Sequence, residues 1–449
     1  MALKTFKGGI FPPERKDRRS GLPIEVVRGI ARVAIPVNQH FGAPITPLVS
    51  VGDHVLQGQK IADASGPMTA PVHASITGAV TAIEPRLLAN NTEGLCIVID
   101  ADGSDGKAFL PALDPFACPI AEALERVREA GIVGMGGAGF PTHVKLAPRK
   151  PVKLVIANGA ECEPYLTIDE RMMMERPGDV AEGVAITMRL TGAERGIIAV
   201  EENKAHVARG LSEAAAARCE GKAITVQVLR TKYPQGGEKM LVSALTGAEV
   251  PSGGLPMDVG CVVQNIGTLV ALVEAFNEGK PVIERGLAFS GGACERPKNL
   301  VVPIGAIPSD LARQGIVDVN DDRLARVVYG GPMMGVAVAG YGIPIQKNTS
   351  GVLFLDRREA LTWTEGNCIR CGRCMRACSC RLSPALLHAA ILARDWEEAE
   401  AIGLLDCIEC GTCSYVCPAR VQLVQRFRTG KQELRAIKQK QKEAKVGIR

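Results

Sequence analysis

LVIANGAECEPYLTIDER, residues 154–171, runs from an apolar segment directly into an acidic loop. An uncharged start with β-branched residues is typical of a strand that is buried on both faces of a parallel sheet. GIIAV (196–200) and ITVQVL (224–229) have the same character and predict two more buried strands, with helical patterns between the three. Strands that alternate with helices predict a doubly wound, Rossmann-like α/β layer. In such a layer a nucleotide binds at the carboxyl ends of the strands.

Three loops of this layer carry polar side chains where apolar runs end. In the acidic loop, Glu161 and Glu163 can bind ribose hydroxyls, and Asn158 offers an amide to a ring or a ribityl chain. YPQGGEKM (233–240) and VVQNIGTL (262–269) provide the second and third loops. Because the carboxyl ends of parallel strands share one edge, the three loops predict a ligand pocket. A solvated acidic loop is the alternative interpretation.

A glycine-rich loop, GIVGMGGAGFPTHVKL (131–146), precedes the first strand. Residues without a Cβ atom let the backbone approach a phosphate or a flat ring, and consecutive N–H groups can hold anionic oxygens. Lys145 adds a positive charge for a phosphate. The loop is neither a P-loop nor the Rossmann glycine fingerprint, so a simple turn is the alternative.

Two other regions consist of short apolar runs broken by glycine and proline, which predicts β-rich units. Residues 30–100 resemble the barrel-sandwich domains of biotinyl and lipoyl carriers. No lysine lies between Lys60 and Lys107 to carry such a cofactor, so the expected role is packing or docking. Residues 285–355 resemble the soluble-ligand-binding β-grasp module.

The pattern C-x2-C-x2-C-x3-C occurs twice near the end of the chain, in residues 368–378 and 407–417. Three thiolates at this spacing bind one corner of an iron-sulfur cubane, and the fourth cysteine of each run binds the other cluster. Two 4Fe-4S clusters in a bacterial, ferredoxin-like helical domain are therefore predicted. The predicted ligands are Cys368, Cys371, Cys374 and Cys417 for cluster 1, and Cys407, Cys410, Cys413 and Cys378 for cluster 2.

Two alternatives accompany this assignment. Paired zinc sites also use four thiolates, but they usually have two CxxC pairs separated by a longer loop. Cys378 is followed by Ser379 and Cys380, where a proline usually stands, so Cys380 can compete as the fourth ligand of cluster 2.

The overall composition narrows the function further. The chain has 449 residues, of which 46% are hydrophobic and 22% charged, which excludes wholesale disorder. A net charge of +5 is too small to indicate nucleic-acid binding. Nine of the fifteen cysteines lie between Cys368 and Cys417, which favours a metal framework over disulfides.

A basic tail ends the chain. Residues 420–449 carry ten lysines and arginines against two glutamates, a net charge of +8. Such a helical tail suits anionic lipid headgroups or an acidic partner surface, and a solvated terminus is the alternative. The basic residues are Arg420, Arg426, Arg428, Lys431, Arg435, Lys438, Lys440, Lys442, Lys445 and Arg449.

Together, the segments GMGGAGFPTHVKL, NGAECEPYL, YPQGGEKML and QNIGTL resemble the FMN- and NADH-binding flavoprotein subunit of respiratory complex I. With the N-terminal TFKGGIFPPERK, the β-grasp-like unit and the tandem cysteine motif, nearly the whole chain resembles the RnfC family of the Rnf ion-translocating electron transport complex. In the complex I flavoprotein the acidic loop reads Asn-Ala-Asp-Glu-x-Glu-Pro. Ala160 replaces the aspartate here, which puts one contact to the ribityl chain in doubt.

The resemblance implies a non-covalent FMN that accepts a hydride from NADH and passes single electrons to the clusters. It implies that the glycine-rich loop and the three polar loops hold the FMN. It places Glu163 and the region of Phe140 on the nicotinamide side. The implied cofactor-binding residues are Gly134, Gly136, Gly137, Gly139, Phe140, Lys145, Asn158, Glu161, Glu163, Tyr233, Gly237, Glu238, Asn265 and Thr268.

The resemblance also implies a peripheral electron-input subunit without a transmembrane span. Its partners would be NADH and the other subunits of a membrane redox pump, on the cytoplasmic face of the bacterial inner membrane. The alternatives are a soluble FMN and iron-sulfur reductase, such as a cobalamin reductase, and a non-enzymatic ferredoxin-type relay. The expected domains are 1–110 (barrel-sandwich-like), 111–280 (FMN/NADH-binding α/β), 281–356 (β-grasp), 357–425 (ferredoxin-like) and 426–449 (basic tail).

Overall fold

The computed structural model describes residues 3–16, 21–218 and 223–446. Arg449, the last residue of the predicted basic tail, lies outside these ranges. The described residues form four sheets and one helical domain.

The N-terminal β unit consists of two small sheets packed around a common core. One has the strand order β2-β8-β7-β4 and the other β3-β5-β6, and every pair within them is antiparallel. Val33, Ile35, Ile97 and Ile99 alternate with neighbours on the opposite face and are fully buried. The strands up to this point of the chain are β1 Ile24–Val26, β2 Arg32–Pro36, β3 Thr46–Pro47, β4 His54–Val55, β5 Lys60–Asp63, β6 Val72–His73, β7 Gly78–Leu87 and β8 Glu93–Ala101.

The predicted α/β layer is present as a four-stranded parallel sheet with the order β11-β10-β9-β12. The quoted strand β9 lies between two neighbours, so its apolar residues are buried. The strands are β9 Leu154–Gly159, β10 Arg195–Glu201, β11 Ala223–Leu229 and β12 Cys261–Asn265. The helices are α1 Ile120–Glu129, α2 Thr142–Lys145, α3 Ile168–Glu175, α4 Pro177–Thr191, α5 Ala208–Arg218, α6 Glu238–Thr246 and α7 Ile266–Asn277.

One strand prediction in this layer was partly wrong. ITVQVL does form a strand, but β11 is the edge of the sheet and only Leu229 in it is fully buried. A strand with one neighbour leaves its other side open, which an apolar run alone does not reveal.

The following β-rich region forms a six-stranded mixed sheet with the order β1-β14-β13-β17-β15-β16. The first and last strands of this region, β13 and β17, pair in parallel at the centre of the sheet. Strand β1 joins its edge, so residues near the N-terminus tie the β unit to this sheet. The elements are β13 Glu284–Ser290, β14 Lys298–Pro303, α8 Pro308–Arg313, β15 Leu324–Tyr329, β16 Val336–Val338 and β17 Gly351–Asp356.

The cysteine segment is helical, and its core includes Leu387, Leu404 and Phe427. The helices are α9 Arg373–Ala377, α10 Pro384–Ala393, α11 Trp396–Ala401, α12 Thr412–Tyr415 and α13 Leu423–Val446. No helix in the described ranges is both long and apolar enough to cross a membrane.

The predicted separate tail from residue 426 is instead the continuation of α13, which begins inside the cluster domain. Lys431 is buried and donates to Glu409 Oε1 at 2.8 Å, and Arg428 pairs with the same carboxylate at 3.2 Å. Arg426 pairs with Glu365. Several charges counted in the tail are therefore used within the fold.

Candidate functional site

The predicted polar loops meet at the carboxyl edge of the parallel sheet. Asn158, at the end of β9, donates from Nδ2 to the carbonyl of Gly236 at 2.8 Å, which joins the first loop to the second. Asn265, at the end of β12, caps α7 by accepting from Gly267 N at 2.9 Å. The first two loops thus lie in direct contact, and the third lies one strand away in the sheet.

The glycine-rich loop lies against the third loop. Thr268 Oγ1 accepts from Met135 N at 3.0 Å and fixes the middle of the glycine-rich loop to α7. A Cβ atom on Gly136 would lie 3.0 Å from that of Asn265, so a side chain here would crowd the crevice. A Cβ atom on Gly137 would have no neighbour within 4 Å. The loop therefore presents an open backbone surface, as a phosphate or flat ring requires.

Positive electrostatic groups converge on the same crevice. Lys145 at the end of α2 pairs with Glu238 at 2.7 Å, which brings α2 to the first turn of α6. The N-termini of α6 and α7 follow the second and third loops, and helix N-termini attract anions. Lys145 is held where it can exchange Glu238 for a phosphate.

Glu161 is held from several sides. Its carbonyl accepts from Lys16 Nζ at 2.5 Å and from Lys204 Nζ at 3.0 Å, and its Oε1 accepts from Asp169 N at 3.0 Å. Its Oε2 is buried and has no hydrogen-bond partner among the described residues. A buried carboxylate oxygen without a donor is costly, and a ligand hydroxyl is a donor that would satisfy it.

Two charged residues of this site were not predicted. Asp169 accepts from Asn265 Nδ2 at 2.8 Å, and burial together with the charge of Glu161 raises the pKa of Asp169 to about 7. Arg285, from the mixed sheet, donates to the carbonyls of Thr349 at 2.7 Å and Met135 at 3.2 Å. Asp169 stands within the quoted stretch, but no local signal in the sequence links Arg285 to it.

The structure places Glu163 and Tyr233 at a domain junction. Glu163 accepts from Met333 N at 3.0 Å and Met334 N at 2.9 Å, both in the turn between β15 and β16. Tyr233 is buried and donates its hydroxyl to the carbonyl of Cys410 at 2.7 Å. These two side chains therefore connect the α/β layer to the mixed sheet and to the second cysteine run.

The end of the glycine-rich loop contacts the N-terminal β unit. The Phe140 ring stacks on the Phe41 ring with centroids 6.2 Å apart. The carbonyl of Gly139 accepts from Phe41 N at 2.9 Å, and the carbonyl of Phe140 accepts from Gly134 N at 2.9 Å. The β unit thus supports the wall of the crevice, which agrees with the docking role expected of it.

Five thiols line one small cavity in the cluster domain: those of Cys378, Cys380, Cys407, Cys410 and Cys413. Cys378 belongs to the first run and the last three to the second, which is the crossing predicted for cluster 2. Leu382 N donates to Cys378 Sγ at 3.3 Å. The donor chemistry fits an iron-sulfur cluster, because thiolates are the ligands that such clusters use.

The other cysteines of the first run lie outward. Cys368 and Cys371 are exposed, and Cys374 is half-buried next to them. No three His, Cys, Asp or Glu side chains in the described ranges lie close enough together to bind one metal ion. Each cluster site is therefore defined here by its neighbouring thiols, and the assignment of Cys417 to cluster 1 stays a prediction.

Three family models match successive parts of the chain. The RnfC barrel sandwich hybrid domain matches residues 4–104, the Nuo51 FMN-binding domain residues 127–274, and the 4Fe-4S dicluster domain residues 361–418. These matches confirm the predicted barrel-sandwich unit, FMN and two 4Fe-4S clusters. Fold and site together define a multidomain flavin- and iron-sulfur-containing electron-transfer protein.

Similar proteins give the family. The RnfC-type component of the proton-translocating ferredoxin:NAD(+) oxidoreductase complex of Clostridium ljungdahlii is 43% identical over 98% of this chain and 96% of its own length. Its counterpart in the Na(+)-translocating complex of Acetobacterium woodii is 41% identical over 97% and 98%. The chain belongs to the RnfC family of ion-translocating oxidoreductase complexes.

A solved structure extends the similarity of fold. A crystal structure of NAD+-reducing NiFe hydrogenase in the H2-reduced state aligns with a TM-score of 0.50 and 19% identity. The alignment covers 73% of this chain and 64% of that one. At this identity the likeness concerns the fold alone.

Proposed function

We propose that this chain is the NADH-oxidising, electron-input subunit of an Rnf-type ion-translocating ferredoxin:NAD+ oxidoreductase. When bound, FMN takes the two electrons of a hydride from NADH and releases them singly to the 4Fe-4S clusters. The chain's own residues bind and orient these groups. The route is reversible in principle, since each step is an electron transfer between bound centres.

One observation carries the proposal: the second cysteine run is joined directly to the loops of the flavin crevice. Tyr233 opens the loop whose Gly236 contacts Asn158, and its hydroxyl donates to the carbonyl of Cys410. Ile10, Tyr233, Ala377 and Cys410 form one buried cluster at this junction. Cluster 2 would therefore be the first acceptor of electrons from the flavin.

The proposed FMN contacts follow from the geometry of the crevice. The open backbone of Gly136 and Gly137, with Lys145, would hold the phosphate and the ring edge. Asn158 and Glu161 would hold the ribityl chain. The other proposed contacts are Gly134, Gly139, Gly237, Glu238, Asn265 and Thr268.

NADH is proposed to approach from the side of Phe140, where the β unit meets the crevice. Glu163 and Tyr233 retain their proposed roles toward nicotinamide and FMN, respectively, only if ligand binding competes with their present hydrogen bonds. Their more direct role is to fix the junction with the cluster domain.

The domain limits 1–110, 111–280, 281–356, 357–425 and 426–449 are likewise proposals. The central parallel pairing of β13 with β17, with α8 between the second and third strands, supports a β-grasp module in residues 281–356. The exposed basic side chains Arg435, Lys440 and Lys442 of α13 support contact with a membrane or an acidic protein surface. The proposed location is the cytoplasmic face of the bacterial inner membrane, as a peripheral subunit.

Anaerobic reconstitution tests the proposal. The purified chain is supplied with FMN, iron and sulfide, and absorbance and EPR spectra are recorded before and after NADH is added. We expect the flavin absorbance to bleach and both clusters then to be reduced. Clusters that form without any bound flavin and do not respond to NADH would instead favour an electron relay.

A matched pair of variants tests the crevice itself. Lys145→Ala removes the cation beside α6 and should weaken FMN binding by about 5- to 30-fold, corresponding to 1–2 kcal/mol. Lys150→Ala, which removes an exposed lysine paired with Asp258 at 2.7 Å, should leave FMN affinity unchanged. Fluorescence titration with FMN measures both.

A further inference from the structure

The cluster domain has an arginine-rich outer face around the first cysteine run. Residues 361–381 contain four arginines and a single acidic residue, Glu365. Glu365 is already paired with Arg426 of α13. The segment that carries three of the predicted ligands of cluster 1 is therefore locally cationic.

Three of these arginines have no partner among the described residues. Arg370, Arg373 and Arg376 are exposed, and no hydrogen bond or ion pair of their side chains is found within the described ranges. Arg381, in contrast, pairs with Glu249 at 2.8 Å. Three guanidinium groups are thus available to carboxylates from outside the chain.

Large apolar side chains stand among the free arginines. Ile369 is 66% exposed and Met375 is 50% exposed. An apolar centre with methionine and arginine at its rim is the composition of a protein interface. Residues 368–376, named the outer face here, combine both features.

The outer face also lies where electrons would leave the chain. The second cysteine run contacts the flavin side through Cys410, whereas no hydrogen bond of the described residues joins residues 368–376 to another domain. We propose that the outer face docks an acidic, one-electron redox protein, which takes one electron from cluster 1 without any bond being made or broken. This inference rests on the proposed function.

The composition favours a protein over a lipid surface. Arginine binds carboxylates with two parallel hydrogen bonds, while lysine acts as a point charge. All the basic residues of the outer face are arginines, whereas the exposed basic residues of the second half of α13 are mostly lysines. A membrane contact is accordingly better served by α13 than by the outer face.

Two haem proteins of opposite charge test the proposal: cytochrome b5, which is acidic, and cytochrome c, which is basic. The reconstituted chain is reduced with NADH, and reduction of each cytochrome is followed by stopped flow at low and high salt. The triple variant Arg370→Glu, Arg373→Glu and Arg376→Glu should slow cytochrome b5 reduction roughly 10-fold or more at low salt. It should speed the reduction of cytochrome c, and high salt should remove both effects.

A control variant has the same change in net charge. Arg149, Arg195 and Arg358 are exposed and lie outside the cluster domain, and their triple change to glutamate should alter both rates little. Equal effects of the two triple variants would overturn the proposal, since total charge would then explain them. A shift in the EPR spectrum or potential of cluster 1 with no change in preference between the cytochromes would also overturn it, because the arginines would then only balance the cluster's charge.

Two further measurements separate the alternatives. Chain reduced with dithionite can be mixed with cytochrome b5 directly, so the docking surface is tested even if NADH fails to reduce the flavin. Sedimentation with vesicles containing phosphatidylglycerol tests lipid binding. Vesicle binding that is lost in the outer-face variant, with cytochrome b5 reduction unchanged, would assign the outer face to the membrane and overturn the proposal.

Discussion

The two cysteine runs have the same spacing but very different surroundings. In the second run Cys410 and Cys413 are 8% and 7% exposed, and Cys410 lies against Tyr233 of the α/β layer. In the first run Cys368 and Cys371 are exposed among arginines. The spacing determines which metal centre is bound, whereas the surroundings determine what that centre exchanges electrons with.

The difference gives the domain a direction. The inner run and the crossing Cys378 face the flavin crevice, and the outer run faces the exterior. Electrons would then pass from flavin to cluster 2, to cluster 1 and to the partner, in series. Two clusters acting in parallel would need comparable access to the flavin, which the contacts do not provide.

Removal of one ligand from each run should break the series at different points, with the largest effect of any change considered. Cys413→Ala should preserve the bleaching of FMN by NADH but reduce electron delivery to cluster 1 to the background rate. Cys371→Ala should preserve the reduction of cluster 2 and abolish delivery to an external acceptor. Stopped-flow absorbance and rapid-freeze EPR distinguish the two.

Cys96→Ala is the control for these variants, because Cys96 is buried in the N-terminal β unit and should affect neither step. If cluster 1 is still reduced at the wild-type rate in Cys413→Ala, the clusters act in parallel and the comparison fails.

The N-terminal strap, residues 4–16, offers a second way to disturb the inner run. Gly9 N donates to the carbonyl of Ala377 at 2.9 Å, and Ile10 exchanges two backbone hydrogen bonds with Tyr233. Gly8 has a φ of +79°, and a Cβ atom on it would lie 2.5 Å from the carbonyl oxygen of Cys378. Gly8→Ala should lower the free energy of unfolding by about 2–4 kcal/mol and slow electron transfer from flavin to cluster 2.

Gly29→Ala separates the two causes of this effect. Gly29 has a φ of +71° but no atom within 4 Å of a Cβ position, so its change should cost only about 1–2 kcal/mol and leave electron transfer intact. Thermal unfolding and stopped flow measure both quantities. Equal electron-transfer rates in the two variants would show that the strap does not position the cluster domain.

Much of the fold was predictable because its signals are local. Uncharged β-branched runs identified β9 and β10, and cysteine spacing identified the cluster domain. The edge position of β11 was missed, since burial of a strand depends on neighbours that lie far away in sequence. The incorporation of Arg426 and Lys431 into the cluster domain was missed for the same reason: their acidic partners, Glu365 and Glu409, are distant in sequence.

The candidate site shows the same limit. The sequence identified Asn158, Glu161 and Asn265 because polar residues that end parallel strands meet at one edge. It did not identify Arg285, which reaches the glycine-rich loop from another sheet. Nor did it show that Tyr233 bonds to Cys410, because only tertiary packing brings a loop of one domain to the cysteine run of another.

A smaller effect should come from Glu163 at the inner junction. Burial raises the pKa of Glu163 from 4.5 to about 7, so the folded chain binds an extra proton between these pH values. Stability from this group is therefore present below pH 4.5 and is lost as the pH rises to about 7. Wild type should lose about 1–2 kcal/mol relative to Glu163→Gln across this window. Thermal unfolding at several pH values tests this, and parallel curves for the two proteins would contradict it.

The smallest expected effect concerns Cys380, which shares the inner cavity with Cys378. Cys378 accepts a backbone hydrogen bond from Leu382 and completes the x3 spacing of the first run, whereas burial raises the pKa of Cys380 to about 11 and disfavours its thiolate. Cys380→Ser should therefore leave iron content, sulfide content and EPR spectra unchanged, while Cys378→Ser should lose most of cluster 2. The reverse result would make Cys380 the crossing ligand. The inner cluster would then be held by a residue outside the repeated spacing, and the two runs would differ in ligation as well as in surroundings.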